Sequence, residues 1–136
     1  MKNLLPFILF VLLTSAGVYA QSKKEPIDLT KETVFTLVEN PPKFKGGTEA
    51  MYAFIKKNIQ YPKEARDAGI EGKVYLKFIV DAKGNVRNAQ IMKGPDKLLN
   101  EEALRVINAM PKLIPGTQNG KNVNVYFNIP LDFKLN

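Results

Sequence analysis

The sequence contains no cysteine and no histidine. A thiolate nucleophile, a Cys-rich zinc site, a disulfide framework and a histidine base are therefore excluded. The lack of cysteine does not fix the compartment, because it suits an oxidising space without disulfides as well as a reducing one. Internal repeats and low-complexity stretches are missing too, and no basic run exceeds two residues, as at Lys23-Lys24. The formal charge is +7. Because Lys and Arg alternate with Asp and Glu instead of clustering, the patch that nucleic-acid binding requires is absent, and no nucleic-acid partner is expected. Gly46-Gly47 lacks the Lys-Ser or Lys-Thr that would follow it in a phosphate loop, so it reads as a turn.

What is present is a chain of 136 residues, 45% hydrophobic and 24% charged, enough for one globular domain with a modest core. Met1 to Ala20 has the form of a secretory signal: Lys2, an apolar stretch from Leu4 to Leu13, and Val18-Tyr19-Ala20 before Gln21. Cleavage is expected after Ala20, which places the protein in the periplasm. The competing reading retains the segment as an inner-membrane anchor facing the periplasm. Residues 21–33 are polar and carry Pro26, the composition of a flexible leader. The folded domain is assigned to 34–136.

Within it, Val34 to Val38 reads as an edge or arm strand stopped by Pro41-Pro42. Met51, Phe54, Ile55 and Ile59 recur at helical spacing behind Thr48, which suits an N-cap. Pro62 opens a short second helix that Gly69 closes. Val74, Leu76, Phe78 and Val80 alternate with polar residues, and Asp81 to Gly84 turns the chain into a returning strand over Val86 to Met92. The apolar phase of that strand slips, which predicts a bulge near Asn88. Asn100 is the expected cap of a helix with Glu101 and Glu102 in its first turn and Ala103, Val106, Ile107 and Met110 inward. Gly116 to Gly120 is expected to be a loop. From Val123 to Leu135 the odd positions are apolar without interruption, the pattern of a long terminal strand, and Pro130 confines that part of it to an edge or a bulge. The expected fold class is α+β, a small, mainly antiparallel three-stranded sheet with two or three helices on one face.

Gln60-Tyr61-Pro62, Ala65, Gly69 to Val74, Lys77-Phe78, Gly84-Asn85-Val86, Gln90-Ile91, Glu102-Ala103 and Pro115-Gly116 occur together in an order that resembles the C-terminal domain of TonB. The lead-in from Val38 to Gly47 is similar to that of TonB-like proteins of the Bacteroidetes type. The resemblance implies a non-catalytic domain that docks a TonB-box-type peptide of an outer-membrane transporter by strand addition. It implies that Asn122, Asn124, Tyr126 and Asn128 lie along the pairing edge and that Gln60, Tyr61 and Pro62 form a partner contact. Leu113 stands where many relatives carry Trp, which removes an aromatic anchor. No metal, cofactor or small-molecule substrate is expected, and a homodimer through the same edges is a competing use. Carboxylate catalysis by Glu101-Glu102, or by Asp81 with Glu71, is not supported, since helix-end and turn roles account for these residues.

Overall fold

The computed structural model describes residues 25–136. The signal segment assigned to 1–20 and the start of the leader, 21–24, lie outside the described residues. In chain order the elements are β1 (Val34–Phe35), α1 (Gly47–Asn58), α2 (Lys63–Asp67), β2 (Gly72–Val80), β3 (Val86–Lys93), α3 (Lys97–Asn108), β4 (Gly116–Gln118) and β5 (Lys121–Phe133). The sheet runs β1-β5-β2-β3, with β4 paired to β5 off that path. The three long strands are those the alternation predicts, and β1 and β4 make the sheet five-stranded.

Each element follows from a local chemical cause. In β2, Val74, Leu76, Phe78 and Val80 are buried on one face and meet Ile55 of α1, Leu99, Ala103, Val106 and Ile107 of α3, and Ile129, Leu131 and Phe133 of β5 in one cluster. Burying an aliphatic or aromatic side chain of this kind contributes about 1.5 to 3 kcal/mol. The Phe78 and Phe127 rings stack at 5.2 Å between centroids across the β2–β5 pair. At the hairpin turn, Gly84 has φ 88°, and a Cβ there would lie 2.0 Å from the carbonyl oxygen of Leu113. The close approach is used: the Leu113 N–H donates to the Gly84 oxygen at 2.8 Å, and the Leu113 side chain fills a core position.

The bulge expected near Asn88 is present. Asn88 has φ 52°, and the β2–β3 register shifts between Lys77 and Ile79. A second shift falls between Tyr75 and Leu76.

Several boundaries differ from the sequence expectations. α1 starts at Gly47 with Gly46 as its cap in a left-handed conformation, because the turn closed by Gly47 N–H to Phe44 oxygen sets the helix start before Thr48 is reached. Pro62 is the cap of α2 instead of its first residue. α3 starts one turn earlier than expected: the Asp96 side chain accepts from Leu98 N–H at 2.8 Å, which places Asn100 inside the helix and Leu99 in the core. Gly116–Gly120 is not a plain loop, since Gly116–Gln118 pairs with Lys121–Val123 through a turn at Asn119 and Gly120, both at positive φ. That is the conformation of a tight hairpin turn, and Asn-Gly is its preferred sequence.

The segment given to a flexible leader is, from Glu25 on, held against the sheet. Ile27 is 6% exposed, and its N–H and carbonyl both bond the Asn88 amide, at 2.7 and 3.1 Å. Arg87 donates to the Glu25 oxygen at 2.6 Å. The arm then reaches β5, where Asn124 donates to Glu32 Oε2 at 3.0 Å and to the Thr33 oxygen at 3.3 Å. Ile79 lies between these two anchorages, opposite Arg87 on β3 and Tyr126 on β5. By alternation its side chain is on the face away from the core, yet it is 1% exposed, as expected under a crossing arm.

Candidate functional site

The two groups of residues marked in the sequence occupy separate places. Gln60, Tyr61 and Pro62 form the corner between α1 and α2 and line a recess of about 380 Å³ with Lys63, Leu98, Glu101, Glu102 and Arg105. Tyr61 is built into the fold: its hydroxyl donates to the Ile70 oxygen, and its ring meets Phe133 edge-on at 5.7 Å. Burial, reinforced by the Glu71 carboxylate, raises its phenol above the ordinary pKa. Gln60 N–H donates to Glu102 Oε2 at 2.5 Å, and Arg105 Nε donates to Glu102 Oε1 at 2.5 Å. The hydrogen bond that Arg105 donates to Glu102 is also the main reason its guanidinium is raised above its usual pKa. Glu102 therefore does not sit in an exposed first helical turn. It is 8% exposed in the second turn and ties α3 to the corner.

The four marked residues of β5 divide in the middle. Asn122 pairs with Thr117 of β4, and Asn124 lies opposite Val34 of β1 while its side chain accepts from Ala82 N–H at 3.0 Å and holds the arm. Asn124 presents no free edge, whereas the exposed Asn122 turns its backbone groups away from β4, since the Thr117 N–H and C=O both bond Asn40. Beyond Val125, by contrast, β2 is the sole strand partner of β5 among the described residues.

The direction of the peptide groups follows from the ladder. In an antiparallel pair each residue turns both its N–H and its C=O to the same side, and successive residues alternate. Asp81 N–H donates to Asn85 across the hairpin, so odd residues of β2 face β3 and even ones face β5. The even residues Gly72 to Val80 lie opposite Phe133, Leu131, Ile129, Phe127 and Val125, which therefore bond inward. Tyr126, Asn128, Pro130 and Asp132 turn their backbone groups outward. Pro130, which has no N–H, sits where none is needed by the ladder, and the nine β2–β5 pairs continue past it without a shift.

Side chains of this stretch are modestly engaged. Lys77 Nζ lies 4.1 Å from the centre of the Tyr126 ring, and Lys134 pairs with Asp132 at 3.4 Å. A groove of about 700 Å³ runs between α1 and the end of β5, lined by Tyr52, Ile55, Lys56, Ile59, Lys73, Pro130, Leu131, Asp132 and Lys134. The sequence reading missed α1 as one wall of this region. The exposed Tyr52 and Lys56, on the helix that also carries buried Met51 and Ile55, are the signal that belonged to it.

A sheet with helices on one face and, among the described residues, an outer margin on its terminal strand that no strand pairs defines a class of small α+β domains. Comparison with known proteins names the family. The profile of the Gram-negative bacterial TonB protein C-terminal matches residues 57–135, and the chain belongs to this family. It is 33% identical over 82 residues to Protein TonB of two strains of Helicobacter pylori, covering 60% of this chain and 27% or 28% of those proteins. The chain thus spans about a quarter of the length of the curated relatives it matches. The solution NMR structure of the Helicobacter pylori TonB-CTD is similar with a TM-score of 0.53 and 30% identity, over 63% of this chain and 78% of that one. The family is associated with transport and with the cell envelope and is not an enzyme family. No helix among the described residues is long and apolar enough to cross a membrane.

Proposed function

We propose that residues 34–136 form a periplasmic docking domain linked to TonB-dependent transport, exported by a signal segment cleaved after Ala20. The domain takes an extended TonB-box-type segment of an outer-membrane transporter as an additional strand on the outer margin of β5. The observation that carries this reading is the continuous β2–β5 register that leaves the other side of β5, among the described residues, without a strand past Val125. Unpaired N–H and C=O groups on such a margin accept a partner strand with little demand on its sequence. Within the marked set, Asn128 belongs to the open margin, and Tyr126 stands at its start, where the Phe35–Val125 pairing engages its N–H. Asn124 supports the margin from within the fold, Asn122 lies exposed at the head of β5, and the Gln60-Tyr61-Pro62 corner is a separate contact.

The test is Asn128→Pro. It removes one outward N–H without touching the ladder to β2, so the circular dichroism spectrum should be unchanged. Affinity for a synthetic TonB-box peptide, read by isothermal titration calorimetry, should fall by more than about tenfold. Undiminished binding with the margin blocked in this way would show that strand addition is not the mechanism. Concentration-dependent dimerisation lost in the same variant would instead assign the margin to a second copy of the chain.

A further inference from the structure

We propose that β1 is a displaceable stop at the head of the β5 margin, a strand of the chain's own that a long partner strand must lift off before it pairs back past Val125. The proposal rests on the reading that this margin receives a strand. β1 lies parallel to β5, with Val34 opposite Asn124 and Phe35 opposite Val125. Asn124 and Tyr126 turn their backbone groups outward, so this register makes three bonds: Asn124 N–H to the Thr33 oxygen, Phe35 N–H to the Asn124 oxygen, and Tyr126 N–H to the Phe35 oxygen. The ladder ends there. Thr36 and Leu37 are exposed, Leu37 at 87%, and the chain leaves β5 to bridge Asn40 with Thr117 of β4.

The hold of β1 is short and shallow. Its two residues are half-buried, neither belongs to the core cluster, and the Asn124 amide adds only exposed bonds to Glu32 and Thr33. The firmer contacts lie on either side: Ile27 bonded to Asn88, and Asn40 bonded to Thr117 through both backbone groups. Lifting β1 therefore turns the stretch between Ile27 and Asn40 into a loop closed at both ends, which returns to its place at a high effective concentration. A strand confined to Asn128 and beyond leaves β1 alone. One that reaches back to Asn124 gains only the difference between its own bonds and those it displaces. Extra length has no outlet at the other end, because the β2–β5 ladder stops at Phe133 and the Leu135 N–H is bonded to Glu71. The arm thus weakens long partners selectively and, by closing again, speeds their release.

The experiment compares fluorescein-labelled peptides of alternating Thr and Val, roughly five and roughly ten residues long, by anisotropy titration of the purified protein and of Phe35→Pro. That substitution removes the central β1 donor and leaves every β5 group in place. The long peptide should bind about three- to tenfold more tightly to Phe35→Pro than to the unaltered protein, and the short one equally to both. In the unaltered protein, saturation with the long peptide should also abolish the hydrogen-exchange protection of the Phe35 amide, while the Ile27 amide keeps its own. An equal gain for the two peptides, no gain for the long one, or a Phe35 amide that stays protected under saturating long peptide overturns the proposal and leaves strand addition standing. Failure of both peptides to bind either protein overturns the docking reading itself, and the proposal with it.

Discussion

The two margins of the sheet are handled in opposite ways. β3 is interrupted by register shifts at two places, Asn88 stands at φ 52°, and the arm is fastened to Arg87 and Asn88. Bulges of this kind twist a strand and spoil it as a template for pairing. β5 keeps nine consecutive pairs with β2, and its outer side beyond Val125 is regular in register and uncovered by any strand among the described residues. One margin is blunted and the other is left regular. The difference teaches that an open edge in this fold is selective, since the same sheet contains the means to close one.

The largest effect should come from contrasting two neighbours on β5. Ile129→Pro removes an N–H directed into the β2 ladder and an aliphatic side chain that is 2% exposed, and should cost more than about 3 kcal/mol, read as a loss of the cooperative unfolding transition. Asn128→Pro, one residue away and directed outward, should leave that transition in place. If both unfold the protein, the assignment of inward and outward groups on β5 is wrong.

A smaller effect should follow at the blunted margin. Asn88→Ala loses both arm bonds and puts an alanine in a left-handed conformation, for about 2 kcal/mol of stability by urea denaturation. Asn88→Gly keeps the backbone conformation and loses the bonds alone, for about 1 kcal/mol. In both variants the amide of Ile27 should exchange faster with solvent.

The smallest effect is pH-dependent. Thr30 donates to Asp28 from its hydroxyl and its N–H, and these bonds lower the Asp28 pKa below its ordinary value. A carboxylate depressed in this way contributes above the ordinary pKa and loses its contribution as the pH falls through the lowered one. The turn at Asp28 to Lys31 should therefore loosen only below about pH 4, visible by NMR as a shift of the Thr30 amide that Asp28→Asn abolishes.

Most of the frame was legible in the residues because it rests on strong periodicity. Val74 to Val80 and Val123 to Phe133 alternate cleanly, Met51 and Ile55 mark one face of α1, and the phase slip at Ala89 announced the bulge. The parts that escaped have weak local signals. β4 is only Gly-Thr-Gln, with no apolar alternation to read, and is a strand because β5 folds back beside it. The arm is polar apart from Ile27 and Leu29, so its placement depends on an amide 61 residues away. Asp96 outcompeted Asn100 as a cap because Leu99 gains a core position when the helix starts earlier. The same early start carried Glu102 inward. At the candidate site, alternation gave the strand but not its neighbours, which is why Asn122 and Asn124 could not be told from Tyr126 and Asn128 without the tertiary partners.

Pro130 has a bearing on alignment as well as on edge placement. Along the exposed border, Asn128 and Asp132 each offer an amide hydrogen, and the residue between them offers a carbonyl but no hydrogen. An incoming chain laid across that gap leaves one of its carbonyls without a donor in every alignment, whereas one that stops short of it loses none, so alignments that reach past Pro130 gain one bond fewer than their length would give. A border otherwise indifferent to what pairs with it thereby acquires a preferred limit, set by a gap in the backbone rather than by any side chain.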